Sequence, residues 1–93
     1  MLDRVLRRLR AKIEAGDYVV TVHADDEMND DGLSVLDLES AVLAGTIVER
    51  QRDRETREQK YVVHGEGTDG SPVGVVAKSG VTGRAVIVTV FRL

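Results

Sequence analysis

Cysteine and tryptophan are absent from this sequence, and proline occurs once, at Pro72. Without cysteine there can be no disulfide, no thiolate zinc site and no cysteine nucleophile, and such usage fits a reducing compartment. Aromatic residues are confined to Tyr18, Tyr61 and Phe91. The core must therefore be aliphatic, built from Val, Leu, Ile and Ala. No apolar run approaches the roughly 18 residues of a membrane span. The N-terminal stretch also lacks the uninterrupted apolar segment of a signal peptide. A cytoplasmic protein with no membrane partner is the expectation. The phosphate-loop, dinucleotide and nucleophile-elbow glycine motifs are missing too, which argues against nucleoside-triphosphate, dinucleotide and serine-hydrolase chemistry. Gly65-x-Gly67 precedes no helical pattern and reads as a turn.

What is present is one domain over residues 1–93, with an ordinary apolar share of 42%. A chain of this size buries about 60–65% of its unfolded surface, so it can fold alone, although a dimer would add burial. Charge is unevenly placed. Residues 1–13 carry five bases against one acid, while residues 14–39 carry nine acids and no Lys or Arg. The remainder is nearly balanced, and the net charge is −3. Such asymmetry can steer a partner, but its sum argues against a general nucleic-acid binder.

Leu2, Val5, Leu6, Leu9 and Ile13 recur at helical spacing, so residues 2–15 read as an amphipathic helix stopped by Gly16. Its arginines form either a solvated face or a phosphate-contacting arm. Residues 17–22 alternate as a short strand, with His23 at its exit. Residues 24–31 then read as a helix of about two turns ended by Gly32. Asp25, Asp26 and Glu27 suit the positive end of its dipole. Ser34 and Asp37 have the spacing of a capping box, and Leu33 and Leu38 that of a hydrophobic staple, starting a helix that runs to Ala44. From Gly45 the period becomes two. Strands begin at Thr46, Gln59, Val73 and Ala85, joined by Gly-, Asp- and Pro-bearing turns. Residues 50–58 are charged and form either a flexible loop or a long hairpin. The order is α-β-α-α-β-β-β-β, an α+β fold with helices packed on one face of a twisted antiparallel sheet.

Several of these residues together resemble the small prokaryotic domain-of-unknown-function family 4258. They are His23-Ala24-x-x-Glu27-Met28, Asp37-Leu38-x-x-Ala41-Val42-x-x-Gly45-x-Ile47-x-Glu49, Tyr61-Val62-Val63-His64-Gly65, Ser71-Pro72-Val73 and Ile87-Val88-Thr89-Val90. The resemblance runs from about Arg8 to Phe91. That family is similar in outline to RelE-like and BrnT-like toxins, whose members cleave RNA, so the resemblance implies a RelE-like or barnase-like outline. Two positions depart from it. Gly74 stands where the family usually has histidine, and Phe91 where it has tyrosine. His64, on the preceding strand, is a candidate substitute.

Two functions follow as expectations. One is a metal-independent, toxin-like endoribonuclease. Cleaving an RNA phosphodiester needs a base for the 2′-hydroxyl and an acid for the leaving oxygen. His23 and Glu27, four residues apart, and His64 are the candidates. Lys78, Arg84 and Arg92 are candidate phosphate-binding cations. RNA and an antitoxin-like protein would be the partners. The other is a non-catalytic interaction module, dimeric or docking a protein through its acidic 25–39 region or basic first helix. His23 and Glu27 then form a structural pair. The ligand-spacing signatures of a metal site are absent, and no cofactor or metal is expected.

Overall fold

The structure, a computed structural model, describes residues 2–93. Helix α1 (Leu2–Glu14) buries Leu6, Leu9 and Ile13, three positions of the stripe read from the sequence. Gly16 follows at φ 69°, a conformation that costs a residue without Cβ little. Strand β1 is shorter than the alternation suggests, Tyr18–Val20. Helix α2 (Val22–Asp31) begins two residues earlier than expected, so His23 lies in its first turn and not at a strand exit. Thr21 causes the shift. Its β-branched side chain favours a strand, but its Oγ1 accepts from Ala24 N at 3.1 Å and so acts as an N-cap. Helix α3 (Val35–Ala44) starts with the full capping box of Ser34 and Asp37. Leu33 and Leu38 are both buried, as a staple requires.

The remaining strands are β2 (Thr46–Arg52), β3 (Gln59–Glu66), β4 (Pro72–Ser79) and β5 (Ala85–Arg92). They form the antiparallel meander read from the short connections. The five strands lie in the order β1-β5-β4-β3-β2. The sheet is mixed and not wholly antiparallel, because β1 joins β5 in parallel. That pairing links segments more than sixty residues apart, so no turn between them could signal its direction. Residues 50–58 belong to a hairpin. Strand β2 continues to Arg52, and the loop is tied by Asp53, whose Oδ1 accepts from Glu55 N and Thr56 N.

One face of the sheet carries the core. Val63, Val73, Val75, Ala77, Ala85, Ile87 and Val90 meet Leu9, Ile13, Ala24, Met28, Leu38, Ala41 and Val42 from the helices. Gly45 and Gly65 let α3 approach closely, since a Cβ on either would collide with the Ala41 backbone. Arg10 of α1 donates to Val42 O at 3.3 Å and Gly45 O at 2.7 Å. It thus joins α1 to the carbonyl end of α3. Among the described residues no helix is long and apolar enough to cross a membrane.

Candidate functional site

The acidic stretch after β1 is placed against the sheet edge. Strand β1 covers only Ala85–Ile87 of its neighbour, which leaves the outer edge of β5 open beyond that point. Helix α2 lies along this opening. Thr21 N donates to Ile87 O at 3.0 Å, and Thr21 Oγ1 donates to Val88 O at 3.2 Å. Six residues further, Val90 N donates to Glu27 Oε1 at 3.3 Å. One turn on, Arg92 N donates to Asp31 Oδ2 at 3.4 Å, while Arg92 Nε donates to Asp31 O at 2.9 Å. Residues four apart share a helix face, so Glu27 and Asp31 meet alternate N–H groups of the open strand. Asp25 alone of the acids lies in the first turn. The dipole account covers that residue, whereas Glu27 and Asp31 satisfy sheet donors.

His23 Nε2 lies 3.3 Å from Glu27 Oε1, with the imidazole 70% exposed and the carboxylate 29%. These two candidate catalytic groups are therefore adjacent. His64 is elsewhere. It alternates with buried Val63 on β3, which puts it on the helix-free face of the sheet. Strands β4 and β5 separate it from the edge that Glu27 occupies.

The candidate cations do not converge. Lys78 Nζ is 2.6 Å from Glu58, and Arg84 Nε is 3.2 Å from Asp17. Arg92 sits at the far end of β5, about 20 Å along the strand from the rung of Lys78. Its Nε is bound to Asp31 O. No single phosphate can reach all three.

His64, Gly74 and Phe91 form one cross-strand row. The Phe91 ring occupies the space that a Cβ on Gly74 would need. The two departures from the family pattern are thus neighbours, and the small residue admits the large ring. Around this row the helix-free face carries Val62, Val76, Val86 and Val19, together with the polar Glu49, Gln51, Lys60, Lys78 and Thr89 on the same side.

Two arrangements go beyond the sequence reading. Asp37 caps α3 and also accepts from Thr68 N at 2.8 Å and Thr68 Oγ1 at 2.7 Å, fixing the β3–β4 turn. Backbone donation from Ser34 and then from Thr68 holds its carboxyl far below the usual carboxylate range. Tyr18, whose hydroxyl donates to Glu39 at 2.7 Å, has its phenol pushed up to about 12 by burial and then by that carboxylate. Nothing local signals either contact, because the partners lie 31 and 21 residues apart. Among the described residues, no three His, Asp, Glu or Cys side chains cluster as metal ligands would.

A family model described as a domain of unknown function (DUF4258) matches residues 20–92. The match starts later than the Arg8 suggested by the resemblance and leaves α1 outside it. No curated protein and no solved structure matches the chain.

Proposed function

The chain belongs to the DUF4258 family, and from that premise we propose that it is a protein-interaction module that docks through the helix-free face of its sheet, in the simplest case onto a second copy. The observation that carries this is the row of His64, Gly74 and Phe91, where an apolar ring lies over a glycine next to Val62 and Val76 on the same face. The core residues contributed by the helices lie on the other side, so no helix among the described residues covers this face. Three strands of eight residues, one of seven and one of three give about 500 Å² of plan area, near the lower end of what each partner contributes to a protein interface. Two such faces would stack about 10 Å apart.

Sedimentation velocity from micromolar to millimolar protein tests this. Dimerisation is expected, and Val76→Glu should abolish it while leaving the circular dichroism spectrum unchanged. A chain that stays monomeric throughout, with Val76→Glu having no effect, would reject self-docking.

The exposed His23–Glu27 pair favours a second reading, a metal-independent ribonuclease of RelE-like or BrnT-like outline. His23 would act as the base, with Glu27 orienting it. Cleavage of single-stranded RNA in EDTA is the assay. His23→Ala should abolish it and Glu27→Gln should weaken it, since the amide oxygen still accepts from Val90 N. Equal cleavage by all three proteins would mark a contaminant.

A further inference from the structure

Between α1 and the Ala77–Ala85 end of the sheet lies a cavity of about 240 Å³. It arises from residue size. Elsewhere the core face carries Val63, Val73, Val75, Ile87 and Val90, but beside α1 it carries Ala77 and Ala85. The missing methyl groups leave a gap under Leu9, walled on one side by Tyr61. The volume equals that of about eight liquid waters and lies just below the usual range for drug-sized ligands. A compact occupant is implied.

Charge narrows the choice further. Arg8, Lys12 and Lys78 stand at this cavity. Lys12 is 2.9 Å from Asp17, which it shares with Arg84, and Lys78 is 2.6 Å from Glu58, so both have a carboxylate partner. Arg8 forms no ion pair among the described residues. The lining thus combines apolar side chains with one uncompensated guanidinium, a group suited to forked contact with a carboxylate.

We propose that this cavity binds a small monocarboxylate with an apolar body, the carboxylate on Arg8 and the body between Leu9, Tyr61, Ala77 and Ala85. Among the described residues, only Arg8 of the lining cations is without a carboxylate partner, and the apolar walls favour an anion with an apolar body over a hydrophilic one that has nothing to bury. Four of the lining residues, Val5, Arg8, Leu9 and Lys12, come from α1, which lies outside the family match.

Amide NMR titration of the full chain tests the proposal with three probes at constant ionic strength: sodium hexanoate, 1-hexanol and inorganic phosphate. Hexanoate should shift the amides of Leu9, Tyr61, Ala77 and Ala85 saturably. Hexanol should bind about tenfold more weakly, as expected for loss of one charge-assisted contact. Phosphate should leave those amides in place. Arg8→Gln, at an exposed helix position, should reduce hexanoate affinity about tenfold and leave hexanol unchanged. Ala77→Leu should fill the cavity and abolish both. Equal binding of hexanoate and hexanol would mean a nonspecific apolar gap and overturn the proposal. So would phosphate binding as tightly as hexanoate, an unaffected Arg8→Gln, or shifts confined to other residues.

Discussion

Asp37 shows how one carboxylate can hold two elements. Its Oδ2 accepts from Ser34 N at 2.8 Å, and its Oδ1 serves Thr68. The capping half is legible in the sequence because both partners lie within one turn. The Thr68 half is not, since only the folded sheet brings the turn to the helix. Asp37→Ala should destabilise the protein by about 1 kcal/mol at pH 7, a typical loss for a cap at a solvent-exposed site. The folded carboxyl ionises below its ordinary value of 3.8, so its contribution is complete above that value and declines as pH falls toward the folded pKa. Urea unfolding at pH 7, 4 and 2.5 should show the wild type and Asp37→Ala converging in acid. At Gly74 the limit is steric. Gly74→Ala should cost about 1–3 kcal/mol by driving the Phe91 ring from its seat. In a Phe91→Ala background the same change should cost less, and a double-mutant cycle in urea measures the difference.

At the scale of elements, α2 works as a cover for a strand that its neighbour leaves half paired. An open edge invites pairing with other chains. Glu27 and Asp31 occupy two of its donors, spaced by one helical turn against two strand residues. Replacing both with alanine should speed amide exchange at Val90 and Arg92 selectively, while Val75 exchange stays near the wild-type rate. Hydrogen-exchange NMR distinguishes that outcome from general loosening. The periodicities of α1, α3 and the meander are readable because each depends on neighbours in sequence. Where Thr21 must choose between strand propensity and capping, tertiary contacts decide. The candidate site is legible only in part for the same reason. Helical spacing alone pairs His23 with Glu27, but the separation of His64, Arg84 and Arg92 depends on strand order.

For the molecule as a whole, α1 is the least expected contributor, since it lies outside the family match yet supplies core. Burying Leu6, Leu9 and Ile13 is worth about 5–9 kcal/mol, comparable with the total stability of a small domain. The Arg10 link to α3 adds to this. A chain shortened to residues 17–93 should therefore lose its cooperative thermal transition, as followed by circular dichroism. The other boundary of the molecule, β2, has an open side of its own. Arg50 and Arg52 share one face of this strand. If two molecules met antiparallel along their β2 edges, continuing the sheet, opposed residues would have to share a face. In every register that pairs these halves, arginine would stand against arginine. Growth of the sheet from molecule to molecule into a filament is thus resisted by charge at the edge where it would begin.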